Sequence, residues 1–466
     1  MGAPSLHVEA VQLAPGVLLE LAARHPERYP VLLDSAAEGA LSQVSLLAAL
    51  PRGALWLDAR GGLHTTGSLP PLAAPDFLGA LDGHWRHAGQ GSAARPASLP
   101  FAGGWFVYLG YELALQVEPS LAAWWPPASA VDARPVAVAL RIPAALLQDA
   151  TGKSWLVAEP GVTEAELAGI RADISAATGA STPAGAMAIA TTEEDPAAYL
   201  TRIRRAQDYI RAGDIYQANL SRWWRAQLPQ DCSAADLYRR LRLSNPAPFA
   251  GFAQFGEFRV LSSSPERLLR IQDRRMDTRP IAGTHPRGAT AAEDSALKAA
   301  LVAHPKERAE HVMLIDLGRN DLGRISDTGS VEVSDSFVVE RYSHVMHIVS
   351  QVQGTVRPGL GYMDVLRATF PAGTLSGAPK VRALEIIQEL EPHKRNIYGG
   401  AIGWIGWWGD ADTAIAIRTA VIHGGRLHVQ AGAGIVYDSD PAAEWEETMN
   451  KGRALFRAVA QAAKGL

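Results

Sequence analysis

Near the end of the chain three apolar runs follow one another with only turns between them: Ile397 to Trp408, Thr413 to Ile422 and Arg426 to Val436. Links that short cannot hold the crossover a parallel pair needs, so neighbouring runs are expected to pair antiparallel. Earlier strand-like pieces are Ile215 to Arg222, Pro248 to Phe255, Arg259 to Ser264 and Leu268 to Ile271. Between them stand helices. From Pro196 to Ala212 the apolar residues Tyr199, Ile203, Ala206 and Ile210 recur at helical spacing, and Gly213 stops the run. Glu293 to Leu317, Tyr362 to Thr369 and Lys380 to Leu390 are read as further helices. Strands in runs with separated helices predict an α+β, layered α/β fold with mostly antiparallel sheet.

Residues 1–175 read as an N-terminal subdomain of short apolar runs, with strands expected at Tyr29 to Ser35 and Ala54 to Asp58. Phe101 to Glu112 sets aromatics around paired glycines, as in a core strand approached closely by other backbone. At 176–195 the composition shifts to Ala, Gly, Ser and Thr, which marks a linker. A second domain then runs over 196–466. With 47% hydrophobic and 20% charged residues the chain has the composition of a globular protein. A net charge of −4 with no Lys/Arg run excludes a nucleic-acid partner. The single cysteine, Cys232, excludes an internal disulfide or a multi-cysteine zinc site. No basic leader or membrane-length apolar run is present, so no membrane partner and a cytoplasmic location are expected.

The chemistry-bearing segments are small residues beside fixed charges. At the C-terminus a Gly-rich strand end, Ala431-Gly-Ala-Gly434, leads through a Ser-Asp-Pro turn into an acidic helix start. Glu444 and Glu447 share one helical face, and Lys451 follows one turn later. Taken alone, such acids serve the helix dipole as well as any ligand. A second acidic helix start, Lys306-Glu-Arg-Ala-Glu-His311, adds Glu310. Ligation by Glu310, Glu444 and Glu447 would be oxygen-only, which suits Mg2+. Glu266 follows a strand directly, where burial would raise its pKa and fit it to donate a proton; a surface turn carboxylate is the competing reading. Pro280 to Gly288 reads as a Gly/Pro-punctuated loop, and Phe370 to Lys380 as a loop running into a helix whose first turn holds Lys380. His344 and His347 lie three apart, with no third histidine nearby at metal-ligand spacing.

From about Glu193 onward the chain resembles the chorismate-utilising enzymes, which include anthranilate synthase component I, aminodeoxychorismate synthase component I and the isochorismate and salicylate synthases. The resemblance rests on Lys306-Glu-Arg-Ala-Glu-His311, Leu317-Gly-Arg-Asn-Asp321, Gly373-Thr-Leu-Ser-Gly-Ala-Pro-Lys380, Ile415-Ala-Ile-Arg-Thr419 and Glu444-Trp-Glu-Glu-Thr-Met-Asn-Lys451. It implies large antiparallel sheets in a sandwich-like core, helices outside, and two interleaved subdomains, the first of anthranilate-synthase type. It further implies that Glu310, Glu444 and Glu447 hold Mg2+ against the ring carboxylate of chorismate. Glu266 is then the general acid for the leaving C4 hydroxyl, and His347 helps to position that hydroxyl. Tyr398 and Arg418 grip the enolpyruvyl carboxylate, and Thr374, Gly434, Lys451 and the Ala282, Gly283 and Thr284 segment are further substrate contacts. Leu33, Asp34 and Ser35 resemble a tryptophan-binding segment.

Within the family, the water-adding members carry a lysine base where this chain has Gln217, which sets that branch aside. Tyr216-Gln-Ala-Asn-Leu-Ser221, with Asn219, resembles aminodeoxychorismate synthase. Ala282, where many of those enzymes have lysine, and the Gly373-Thr-Leu-Ser-Gly377 loop lean the other way. The function expected on this reading is that of aminodeoxychorismate synthase component I, converting chorismate and ammonia to 4-amino-4-deoxychorismate for p-aminobenzoate and folate synthesis. The alternative is anthranilate synthase component I, and a non-catalytic ligand-binding relative is a more distant one. Both aminating readings imply a glutamine amidotransferase subunit as the ammonia source, because Cys232 lacks the surroundings of a glutaminase nucleophile.

Overall fold

The computed structural model describes residues 5–37, 41, 43–88, 99–124, 134–177, 189–341 and 345–460. His344 and positions 178–188 of the expected linker lie outside them. The elements that reach the site, labelled in chain order, are β1 (Val31–Asp34), β2 (Gln217–Gln227), β3 (Phe249–Phe255), β4 (Phe258–Ser264), β5 (Arg267–Gln272), β6 (Ile281–Pro286), α1 (Pro305–Gly323), β7 (Val345–Thr355), α2 (Lys380–Leu390), β8 (Ala401–Gly406), β9 (Ala411–Ile415), β10 (Thr419–His423), β11 (Arg426–Ile435) and α3 (Pro441–Ala460).

Two antiparallel sheets form the core. The first runs in the order His7–Val11, Ser154–Ala158, Ala144–Asp149, Val44–Ala49, β1, β3, β4, β10, β11, β2 and Thr191–Glu193. The second runs β6, β7, Arg275–Thr278, β5, β9, β8, Gly104–Leu109, Ala137–Ile142, Gly53–Leu57 and Leu63–Thr65. Residues from both ends of the chain therefore share each sheet, and the two subdomains interleave.

Three apolar layers hold this arrangement. Between the sheets Val31, Val260 and Val421 of one pack with Phe106, Tyr108 and Ile402 of the other. Outside the first sheet Leu18, Leu167, Tyr238 and Leu455, all helical, cover Phe252, Leu261 and Val429. Outside the second, Phe77, Leu366 and Ile315 cover Val107, Leu269 and Val352. The order is helix, sheet, sheet, helix, and alternation along each strand fills both inner and outer layers.

Three local readings change. The helix expected over Glu293 to Leu317 is two, Ala291–Ala303 and α1, because Pro305 has no N–H to continue the first and instead opens the second. The expected loop over Pro280 to Gly288 is largely the strand β6, bulged between Ala282 and Thr284 where Gly283 takes φ 64°. The single run Thr413 to Ile422 is two strands in different sheets: β9 ends at Ile415, β10 begins at Thr419, and the chain crosses between the sheets over three residues. Among the described residues no helix is long and apolar enough to cross a membrane.

Candidate active site

The crossing between β9 and β10 places Arg418. It adopts φ 49°, a left-handed conformation that a non-glycine residue holds only under tertiary constraint. Its guanidinium is surrounded by protein, and burial holds its pKa below the usual arginine range while Tyr398, Glu266 and Glu447 oppose that. No ion pair or side-chain hydrogen bond engages it among the described residues. A half-buried cation in that state is a binding group for an anion.

Glu266 sits between β4 and β5, at the end of a strand pair sunk in the core, and is 5% exposed. Burial pushes its carboxyl up to about 7. A hydrogen bond from Thr374 Oγ1 to Oε1 (3.1 Å), the Arg418 charge, the Ile281 amide and Lys451 act against that rise without cancelling it. His347, on β7 opposite Thr284, is buried, and its Nδ1 lies 3.3 Å from the Gly283 carbonyl oxygen. Burial first, then Arg418 and Lys451, push the imidazole down to about 4. It is neutral at pH 7, with Nδ1–H as donor to Gly283 and Nε2 as the acceptor nitrogen.

Opposite this group the start of β2 and the end of β11 run side by side, Asn219 facing Gly434 and Ser221 facing Gly432. A side chain at either glycine would meet a neighbour, a movable side-chain end at Gly434 and backbone at Gly432. A Cβ on Gly434 would lie 2.2 Å from Gln217 Nε2, and one on Gly432 would lie 2.5 Å from the Tyr398 hydroxyl and 2.6 Å from the Leu220 carbonyl. Tyr398 donates to Asn219 Oδ1 at 3.2 Å, and Asn219 Nδ2 donates to the Thr374 carbonyl at 3.4 Å. Asn219 thus ties the tyrosine to the loop that supplies Thr374.

The carboxylates of α1 and α3 come into electrostatic reach of each other. Burial pushes Glu310 up to about 7, and the charges of Glu307 and Glu447 add to it. The Glu447 side chain is 48% exposed. Burial acts to raise it, but the Lys451 ammonium at 2.5 Å holds it below the usual carboxylate range. Lys451 also donates to the Gly432 carbonyl at 3.0 Å. Glu444 is buried, which raises it, and accepts from Ser439 at 2.6 Å. Among the described residues no three His, Cys, Asp or Glu side chains close round a single point as a ready metal site. Ser439 and Lys451 draw Glu444 and Glu447 toward other partners. Gln217, at the position of the lysine base in the resemblance, reaches Glu310 at 3.5 Å through Nε2, and its buried Oε1 has no hydrogen-bond partner.

Other residues fall elsewhere. Lys380 is committed to Asp321 at 2.5 Å and to the Thr369 carbonyl, so the start of α2 is a structural tie rather than an open anion seat. Leu33, Asp34 and Ser35 line a separate cavity of about 310 Å³ between the sheets, together with Arg267, Arg270 and Trp404. Gly432 escaped the sequence reading, though the Ala-Gly-Ala-Gly alternation puts it on the same face as Gly434. So did Arg395, which joins the site's parts: it donates to the Leu375 and Asn219 carbonyls at 2.7 and 2.6 Å while ion-paired to Glu391. Nothing in its local sequence marks that role.

Comparison with known proteins bears on this arrangement. The chorismate binding enzyme family matches residues 72–457. Anthranilate synthase component 1 of Pseudomonas putida is 59% identical over 271 residues, 58% of this chain and 54% of the relative. That of Pseudomonas aeruginosa is 58% identical over a stretch of the same length. The match thus spans about half the length of these relatives. The crystal structure of anthranilate synthase component I from Streptococcus pneumoniae superposes with a TM-score of 0.77 at 34% identity, covering 90% of this chain and 93% of that one. The chain therefore belongs to the chorismate binding enzyme family.

Proposed function

We propose that the chain is an anthranilate synthase component I, which aminates chorismate with ammonia and releases pyruvate to leave anthranilate. The observation that carries the chemistry is a fully buried carboxylic acid poised near neutrality, Glu266, close to a cation that no carboxylate pairs, Arg418. The names of the similar relatives favour this branch over aminodeoxychorismate synthase and its link to folate. Ala282 agrees, since it cannot supply a lysine nucleophile. Asn219, the residue that leaned the other way, bridges Tyr398 and Thr374 in a contact indifferent to the product.

On this reading Arg418 and Tyr398 take the enolpyruvyl carboxylate, and Gly434 lets the ring lie against the strand. His347 orients the C4 hydroxyl through Nε2, and Glu266 gives it a proton so that it leaves as water while ammonia bonds to the ring carbon beside the carboxylate. Loss of the proton from that carbon then breaks the ether bond, freeing pyruvate and the aromatic ring. Glu310, Glu447 and Glu444 are oxygen-only donors of the type a hard divalent cation takes, and they would hold one once Glu444 and Glu447 turn from Ser439 and Lys451 toward Glu310. Mg2+ held there would supply positive charge to the ring carboxylate. Ammonia comes from a separate glutamine amidotransferase subunit. The cavity beside Leu33, Asp34 and Ser35 is the candidate tryptophan site. Incubation with chorismate, magnesium and ammonium salt tests the proposal: pyruvate and blue-fluorescent anthranilate form in equal amounts. An aminated product without pyruvate would overturn it in favour of aminodeoxychorismate synthase.

A further inference from the structure

The protein is acidic overall, yet the far end of the first sheet is basic. Side chains along β2 and β11 alternate between faces, and the face bearing Asn219 and Gly434 continues outward to Arg225, His428 and Arg426. Register sets Arg225 opposite His428 and Gln227 opposite Arg426, and His423 of β10 lies on the other side of Arg426. With Lys394 from a neighbouring loop these residues line a cleft of about 600 Å³, and no Asp or Glu lines it among the described residues.

Like charges crowd there. Burial, then Arg134 and Arg426, hold Arg225 below the usual arginine range, with no carboxylate acting the other way. Burial and the charges of Arg134, Arg225, His423 and Arg426 push His428 down to about 4. His393, in the same cleft, is buried with neither ring nitrogen hydrogen-bonded. Two carboxylates act on it, and each is already ion-paired: Glu391 to Arg395 at 2.7 Å and Glu194 to Arg202 at 2.5 Å. Arg225 and Arg426 are exposed, so these cations stand open to an incoming anion, and Glu112, which acts on Lys394 and Arg134, does so from outside the lining of the cleft. The volume is that of a small-molecule site rather than a flat protein contact.

We propose that this cleft binds a small multivalent oxyanion, of the diphosphate or tricarboxylate kind, at a site distinct from the one that holds chorismate. Tyr398 lines its inner wall while its hydroxyl bonds Asn219 in the chorismate site, so the occupant sits one side chain away from the substrate.

The test is calorimetric titration of the full chain, in metal-free buffer of low ionic strength, with inorganic pyrophosphate and, in a parallel arm, citrate. One-to-one binding of at least one probe is expected, at least tenfold weaker in the Arg225→Ser, Arg426→Ser double variant and unchanged in Arg418→Ala. The arm that binds tells phosphate from carboxylate chemistry. Ammonia-dependent kcat and KM of the double variant, without probe, should match the parent. No binding of either probe at millimolar concentration, equal binding by the double variant, or binding lost in Arg418→Ala would each overturn the proposal. So would a double variant that binds neither probe differently from the parent but loses glutamine-dependent turnover with its partner subunit, which would make the cleft a protein-docking face.

Discussion

Glu266 is buried in the acid form, and the consequence can be measured twice. Its folded pKa, about 7, lies above the ordinary value of 4.5, so the folded chain binds the extra proton between those two pH values. The stability this group contributes is fully present below about 4.5 and is lost as pH rises through about 7. Glu266→Gln removes the titration. At pH 8 the variant should be more stable than the parent by something on the order of 3 kcal/mol, and the two should converge below pH 4.5. Urea midpoints across that range check it. The same variant should lose roughly 10²–10⁴-fold in kcat. On the proposed role of Glu266 as the acid, kcat/KM of the parent at constant free ammonia should fall about tenfold per pH unit above about 7. Arg418 separates binding from chemistry: Arg418→Ala should raise KM for chorismate by roughly tenfold or more, at little loss of stability, since no ion pair is broken. The two residues were not equally legible in the sequence. Glu266 follows a strand, and burial alone predicts its raised pKa; Arg418 is one of many arginines until the family motif singles it out, because its setting depends on a crossing between sheets that no local pattern reveals.

At the scale of elements, apolar periodicity located strands and helices well but not the places where they change partners. Tyr362–Thr369 and Lys380–Leu390 are helices with the bounds their patterns suggest. Thr413 to Ile422 reads as one run because β9 and β10 are both buried; hydropathy carries no mark of which sheet a strand joins. Gly283 reads as part of a loop because glycine with prolines resembles a turn, whereas in the fold it makes the bulge that brings its carbonyl to His347. The two glycines of β11 give a contrast that tests the packing. Gly432→Ala puts a methyl against the backbone carbonyl of Leu220 as well as the Tyr398 hydroxyl, neither of which can easily yield. It should destabilise by about 1–3 kcal/mol and displace Tyr398. Gly434→Ala meets mainly the end of the Gln217 side chain, which can swing aside, so the variant should unfold near the parent's midpoint while binding chorismate more weakly. Urea unfolding and KM measured on both variants decide it; equal loss of stability would contradict the geometry.

Across the whole molecule, the interleaving of the two subdomains joins the candidate tryptophan cavity to the candidate active site. The cavity is walled by β1 and β3 of one sheet and by β5, β8 and β9 of the other. Arg267, in its wall, is the next residue after Glu266, and its guanidinium is tied to Asp412 at 3.0 Å. A ligand that packs between the sheets there fixes the spacing on which both β5 and the crossing at Arg418 depend. Tryptophan at 100 times its Kd should therefore stabilise the protein by about 2.7 kcal/mol, seen as a concentration-dependent rise in Tm. If the sheet spacing it fixes differs from that which chorismate requires, each ligand weakens the other by the same factor, because coupling between two binding sites is reciprocal. Titrating tryptophan with and without saturating chorismate measures that factor directly. Asp34 is already held by Arg242, Tyr238 and Ser45, so it shapes the wall, and Ser35 is the nearer candidate to contact the ligand's polar end. Ser35→Ala should weaken tryptophan at least fivefold and leave kcat for ammonia unchanged. Tryptophan binding that is indifferent to this change and to chorismate would place the amino acid, and any control it exerts, elsewhere on the chain.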